Sequence, residues 1–265
     1  MTAAASTHDP LFVLYNLIAK DFKVRYRNMS LGIFWSLLNP LIMMGVLTFV
    51  FTVVQKSPIA YFPLFVLIGY VPFNFFTQAW ASGTNSIVDN SALIKKIPFR
   101  RELVPLSVVL ANTLHYLIQL ALVLAAVAVF IGVNIHWIWI PVVMALQVVF
   151  VCGAALACSA LDVYYRDVRY VVESANLVLF WLVGIFYSIE EVPSGFSWLY
   201  ESNPIAAVIL ITRRVLLQGA SPGTALSLNW FELGTLWKLT LVSFGTLAAG
   251  LWIFRRIQKD FSDSL

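Results

Sequence analysis

The sequence predicts an all-α integral membrane protein with six transmembrane helices, and three observations carry that reading. Apolar stretches of about 20 residues, the length a helix needs to cross the hydrocarbon core, recur six times along the 265 residues. Hydrophobic residues make up 60% of the chain and charged ones 11%, with a mean hydropathy of +0.85, whereas a soluble domain carries about 25% charged residues. Thirteen of the seventeen Lys and Arg residues fall into four clusters, all on the same side of the apolar stretches.

The chain opens with a polar segment, Met1 to Pro10, that ends in His8 and Asp9 and lacks the charged-then-apolar layout of a cleavable signal peptide. Leu11, Leu14, Tyr15, Ile18 and Phe22 then recur at helical spacing, with Asn16, Lys20, Lys23 and Arg27 on another face. This pattern predicts an amphipathic helix over residues 10–28, lying along the membrane interface.

The six spans are read as Leu31 to Val54, Tyr61 to Gly83, Leu103 to Gly132, Ile138 to Leu161, Val171 to Ile189 and Leu236 to Phe254. The basic clusters are Lys20, Lys23, Arg25 and Arg27; Lys95, Lys96, Arg100 and Arg101; Arg166 and Arg169; and Arg255, Arg256 and Lys259. The positive-inside rule places all four in the cytoplasm, with both termini there. The inverted topology would leave only Lys56, Arg213, Arg214 and Lys238 inside.

Between the second and third spans, Ile87, Val88, Leu93, Ile94 and Ile97 alternate with Asp89, Lys95 and Lys96 ahead of Pro98. A short amphipathic helix there either lies on the membrane or docks into a groove of a cytoplasmic partner. Glu190 to Trp237 forms a semi-polar outer segment, in which Asn203 and Pro204 make an N-cap and first-turn pair. The helix they start, Ile205 to Gln218, is too short to cross and reads as re-entrant or interfacial.

Polar residues within spans need a partner helix or an aqueous path. Asn112, His115 and Gln119 share one face of the third span, and either purpose fits them. In the fifth span Glu173, Asn176, Phe180, Gly184 and Tyr187 make a stripe across the bilayer, which favours a pathway. Phe73, Phe76 and Trp80 form an aromatic stripe in the second span that fits packing as well as sugar stacking. The two cysteines, Cys152 and Cys158, fall on different faces of the fourth span and read as packing residues.

Several chemistries are missing from the pattern. No G-x-x-x-x-G-K-[ST] phosphate loop occurs, so energy from ATP has to come through another chain. His8, His115 and His136 are far apart in topology, no metal-ligand spacing occurs, and no catalytic residue is expected. The net charge of +4 is explained by cytoplasmic clusters facing anionic headgroups and calls for no nucleic acid.

Four ordered motifs carry a resemblance: LIAKDFKVRYRNMSLGIFWSLLNPLIMM from Leu17, NSALIKKIPFRRELVPL from Asn90, LDVYYRDVRYVVE from Leu161, and YSIEEVPSGFSWLYESNPIAAVILITRRVLLQG from Tyr187. Together they resemble the ABC-2 type permeases that export O-antigen, capsule and teichoic acid, over nearly the whole chain. The resemblance implies one transmembrane domain, 1–265, comprising the interface helix 10–28, five spans in 31–189, an outer re-entrant segment 190–235, a last span 236–254 and a cytoplasmic tail 255–265.

It also implies a homodimer in the bacterial inner membrane, joined to two copies of a P-loop ATPase that bind the ATP and Mg, with no cofactor in this chain. The expected cargo is a lipid-linked polysaccharide, with O-antigen foremost, and the chain is a transport subunit rather than an enzyme. Arg25, Arg27, Leu31 and Gly32 would meet the lipid phosphate at a lateral entry, where bidentate guanidinium contacts suit the anion. Trp35, Asn39, Phe49, Asn176, Phe180 and Tyr187 would line the conduit. Asn90, Leu93, Ile94, Lys95, Lys96 and Ile97 would form the coupling helix against the ATPase. Arg166 and Asp167 would fix loop structure, and the helix from Asn203 with Arg213 and Arg214 would cap the exit. The Glu190 and Glu191 pair before Pro193 departs from the family pattern. Export of a small molecule, or an ATP-independent channel or secondary transporter, stands as the alternative.

Overall fold

The computed structural model describes residues 9–27, 32, 34–96, 99–188, 192–196, 202–217, 230–258 and 261, and every regular element among them is helical. Helix α1, Pro10–Tyr26, starts as its sequence dictates: the Asp9 side chain accepts from the Leu11 amide at 3.0 Å and Pro10 takes the first helical position. Its packed face centres on Leu17, flanked by Val13 and Leu14, while Leu11 and Tyr15 are 74% and 71% exposed. Of the apolar stripe read here, Leu14 and Phe22 meet the bundle, while Leu11 and Tyr15 on its edge stay exposed. In a bilayer both a protein-facing and a lipid-facing stripe are apolar, so periodicity alone does not separate them.

Helix α2, Phe34–Thr48, runs on through a π-helical turn, Phe49–Val54. Helix α3, Phe62–Asp89, is the buried axis of the bundle, and the six-residue α4, Ser91–Lys96, follows it directly. Next come α5, Leu103–Phe130, and α6, Ile140–Asp162, entered through a 3-10 turn at Ile135–Trp139. Helix α7 is Val168–Leu182, α8 is Pro204–Leu217 and α9 is Trp230–Ile257. Asn203 caps α8 as expected, its Oδ1 accepting from Ile205 N at 2.9 Å and Ala206 N at 3.4 Å.

Among the described residues, five stretches are long and apolar enough to cross a membrane: Phe34–Val54, Phe62–Asp89, Leu103–Phe130, Ile135–Asp162 and Gly234–Ile257. The expected fifth span is shorter than read. Helix α7 has 15 residues and stops at Val183, where Gly184 turns the chain at φ +70°. That conformation favours glycine, because a Cβ would crowd the backbone. The stripe from Glu173 to Tyr187 is consequently not one helical face, since Gly184 and Tyr187 lie beyond the helix end. At the other end of α7, Arg166 and Asp167 are exposed, and the loop is pinned by a different pair. Arg169 donates to the fully buried Asp162 carboxylate at 2.9 Å and 3.3 Å.

The four basic clusters converge on one end of the bundle. Lys20 donates to Asn90 Oδ1 at 2.6 Å, Arg101 to the Gln258 carbonyl at 2.9 Å, and Arg255 to Glu102 at 3.2 Å. Beneath them Leu17, Ile87, Ile94, Leu103, Leu156, Phe254 and Phe261 form one apolar hub.

Elsewhere small and polar groups supply the cohesion that a hydrophobic driving force does not provide between helices in lipid. Helices α6 and α9 cross closely at Gly153 and Gly250. A Cβ on Gly153 would stand 2.5 Å from Leu247 N, and one on Gly250 would meet the Gly153 carbonyl. The fully buried Gln147 on α6 donates to the Pro72 carbonyl of α3 at 2.8 Å. Phe73 and Phe76 are buried within the bundle, and both cysteines are free thiols there, Cys158 accepting from the Trp80 indole at 3.3 Å.

Candidate functional site

A polar cavity of about 350 Å3 opens between α1, α2, α3 and α5. Helix α1 contributes Arg25 from its last turn, α2 contributes Trp35, Ser36 and Asn39 from its first turns, α3 contributes Asn74, Phe75 and Gln78, and α5 contributes Asn112, His115, Tyr116 and Gln119. Among the described residues none that lines it is acidic, and five carry amide side chains: Asn39, Asn74, Gln78, Asn112 and Gln119.

The wall is held by hydrogen bonds between helices. Arg25 Nη2 donates to Asn112 Oδ1 at 2.8 Å, while Asn112 Nδ2 donates to Ser82 Oγ at 3.0 Å and to the Val108 carbonyl at 2.8 Å. Gln119 Nε2 donates to the Ser36 carbonyl at 2.8 Å, and its Oε1 accepts from Asn74 Nδ2 at 3.3 Å. The His115 ring packs 5.7 Å from that of Phe22 on α1, and Tyr116 stacks on Phe75 at 4.7 Å. The polar face of the third span thus serves both purposes open to it, joining helices and lining a cavity.

Several expected site residues meet here. Arg25, Trp35 and Asn39 share the cavity, with Trp35 48% exposed at its edge. Gly32 lies in the turn ahead of α2 at φ +48°, while Leu31 lies outside the described residues. Arg27 is exposed and does not line the cavity. Asn112, His115 and Gln119 come from the polar face read in the third span, whereas Ser36, Asn74 and Gln78 line the site without having been singled out. Their signal was present: Asn74, Gln78 and Ser82 recur every four residues on one face of α3, beside the more conspicuous aromatic stripe.

The remaining expected conduit residues lie away from this cavity. Phe49 is 60% exposed on the π-helical turn. Asn176 turns toward α3, donating to the Thr77 carbonyl at 3.4 Å, and Phe180 packs on Phe73 and Phe186 at 5.8 Å and 5.9 Å. The Tyr187 hydroxyl folds back on the carbonyls of Trp181 and Leu182, at 3.0 Å and 3.2 Å, where α7 ends. These rings belong to an aromatic cluster with Phe51, whose ring lies 4.9 Å from Phe186, at the end of the bundle away from α1.

In the segment read as a coupling helix, Asn90 precedes α4 and its carbonyl accepts from Leu93 N and Ile94 N at 3.0 Å. Ile94 is buried in the apolar hub with Leu93 partly buried beside it, whereas Lys95 and Lys96 are exposed. Ile97 lies outside the described residues. The apolar face of α4 therefore packs on this chain's own bundle, and its two lysines point to the surface.

Comparison with known proteins bears on what such a bundle does. A family model described as ABC-2 type transporter matches residues 13–217. The chain is 30% identical over 259 residues to the "O-antigen export system permease protein RfbA" of Klebsiella pneumoniae, covering 97% of this chain and 95% of that one. It is 27% identical over 256 residues to the protein of the same name from Myxococcus xanthus, covering 96% and 95%. It is 24% identical over 248 residues to the "Polysialic acid transport protein KpsM" of Escherichia coli, covering 90% and 91%.

Proposed function

Because the chain belongs to the ABC-2 type transporter family, we propose that it is the permease subunit of an ATP-driven exporter that carries a lipid-linked polysaccharide across the bacterial inner membrane. The observation that carries this reading is end-to-end similarity, over 97% of the chain, to a permease named for O-antigen export. O-antigen is accordingly the cargo class proposed. ATP and Mg are assigned to a separate P-loop subunit, since this sequence has no phosphate loop.

In this reading the end bearing the basic clusters faces the cytoplasm, in line with the positive-inside rule. Helix α7 and the chain after it make the sixth crossing, α1 lies at the cytoplasmic interface, and α8 is re-entrant at the outer side. A homodimer is supported by α2, in whose most apolar stretch 11% of residues are buried. The exposed face of α7 at Tyr170, Val171, Leu177, Val178 and Trp181 adds to that support. A second copy packed on these faces would enclose a conduit reaching Trp35, Asn39 and Phe49.

The cavity at Arg25 supplies the entry. Its guanidinium donates to Asn112 at the cavity wall, where a phosphate or pyrophosphate oxygen would meet its charge, and amide groups of Asn74, Gln78 and Gln119 suit further oxygens. The absence of carboxylates from the lining avoids repulsion of the anion. Lys95 and Lys96 on α4 are assigned to ATPase contact, with Ile94 as the anchor that transmits the push to the bundle.

The test is genetic complementation. A strain deleted for this chain should lose surface polysaccharide, accumulate lipid-linked glycan on the cytoplasmic face, and recover when the chain is restored. Unchanged surface polysaccharide in the deletion strain would overturn the reading.

A further inference from the structure

Arg213 is the one Lys or Arg among the described residues that is buried, at 7% exposure, and it meets backbone rather than a carboxylate. From α8 its Nε donates to the Phe65 carbonyl of α3 at 3.2 Å, its Nη1 to the Gly184 carbonyl and its Nη2 to the Ile185 carbonyl. The guanidinium carbon lies 3.5 Å from the centre of the Phe65 ring. Gly69, one turn along α3, leaves the space: a Cβ there would stand 2.5 Å from Nη2 and 3.1 Å from Cζ. One side chain therefore binds three elements, through a planar fork that lysine does not reproduce.

Two of the carbonyls it takes, those of Gly184 and Ile185, lie in the turn just past the end of α7. Chain that leaves helical geometry at membrane depth has to be satisfied by protein. The Tyr187 hydroxyl covers the Trp181 and Leu182 carbonyls, and Arg213 covers those of Gly184 and Ile185, beyond Val183. Phe186 lies between them and contacts Phe51, Phe180, Trp181 and Tyr187. Moving the backbone at Gly184 and Ile185 would move this whole aromatic cluster.

We propose that Arg213 is a positioning residue that clamps the broken end of α7 to α8 and α3 and so sets the aromatic mouth through which the glycan leaves. The proposal rests on the export reading for its functional half, and its geometric half stands apart from it. Sugar rings would pass the exposed Trp181 and the half-buried Phe180 and Tyr187, which the buried Phe186 ties to the clamped turn.

The experiment uses the full chain in native membranes, with Cys152 and Cys158 replaced by Ala and the pair Phe51→Cys and Phe186→Cys introduced. A short bifunctional thiosulfonate then reports whether the mouth keeps its geometry. Without the introduced pair, surface glycan reports export. In Arg213→Gln and Arg213→Lys, at undiminished membrane abundance, cross-link yield and surface glycan should each fall at least about tenfold, the scale expected on losing charge-assisted hydrogen bonds. Gly69→Ala should do the same with Arg213 intact, and it decides the matter if the Arg213 variants do not accumulate. Parental yield and glycan in Arg213→Gln, or in Gly69→Ala where that variant decides, would overturn the proposal. Failure of the unaltered chain to restore glycan to a deletion strain would instead sink the export reading, while the cross-link comparison would still judge the clamp.

Discussion

Arg25 Nη2 and Asn112 Oδ1 lie 2.8 Å apart, joining residues 87 positions distant in sequence. The bond ties the last turn of α1 to the middle of α5 and turns the guanidinium inward, away from the headgroup position expected of a simple membrane anchor. Asn112 in turn donates to Ser82 and Val108, so the arginine is oriented by a residue whose own rotamer is fixed. Arg27, two residues on, is exposed. The two arginines of the motif therefore occupy different surroundings.

Arg25→Lys keeps the charge but loses the fork, and Arg25→Ala loses both. Surface glycan should fall at least about tenfold in Arg25→Lys and further in Arg25→Ala, as expected for a lost charge-assisted bond. Arg27→Ala should stay within about twofold, a change under 0.5 kcal/mol of the kind surface sites give. Glycan quantified at matched membrane abundance checks both.

Asp162 is fully buried while the side chain of Arg169 keeps 27% exposure. Removing the carboxylate leaves the guanidinium short of partners but still in touch with water. Asp162→Ala should cost about 1–3 kcal/mol, at or below the lower end of the range for breaking a buried pair. Glu102→Ala breaks the pair with Arg255, whose side chain is 60% exposed and screened by solvent, and should cost less than Asp162→Ala. Thermal unfolding in detergent should rank them in that order.

The crossing of α6 and α9 has no room for side chains at Gly153 or Gly250. Gly250→Leu should separate the helices and cost about 3 kcal/mol or more, above the usual overpacking range because backbone, not a movable side chain, blocks the way. Gly245→Ala, on the same helix with open space around it, should be close to neutral. Protease resistance of the membrane-embedded chain distinguishes them.

Ile94 and its neighbours Lys95 and Lys96 separate anchoring from docking. Ile94→Asp places a charge in the apolar hub beside Leu17, Phe254 and Phe261, and should lower thermal stability. Lys95→Glu with Lys96→Glu should leave stability unchanged and release the ATPase subunit, which co-purification at matched expression reads directly.

Most of the architecture was legible because bilayer physics leaves few choices. Helix length, basic clusters and the Asn203–Pro204 start each translate into one structure, and α8 begins where its cap predicts. The break in α7 was not legible, since Val183 to Tyr187 is as apolar as the helix before it, and only the conformation of Gly184 and the distant Arg213 reveal the turn. The packed face of α1 escaped for a related reason: Leu11 and Leu17 are equally apolar, and burial separates them. At the site, Arg25, Trp35 and Asn39 were named through the family motif, whereas the repeat of Asn74, Gln78 and Ser82 gains its meaning when α3 is placed against α5.

The central claim is that this chain works only as part of an ATP-driven assembly. Native mass spectrometry of the tagged chain, extracted from its own membrane into lipid nanodiscs, tests it most directly. The account predicts two copies of the 29.7 kDa chain with two copies of a P-loop ATPase, the latter lost on Lys95→Glu with Lys96→Glu. A particle containing this chain alone, unchanged by those substitutions, would contradict the account and favour an ATP-independent channel or secondary transporter.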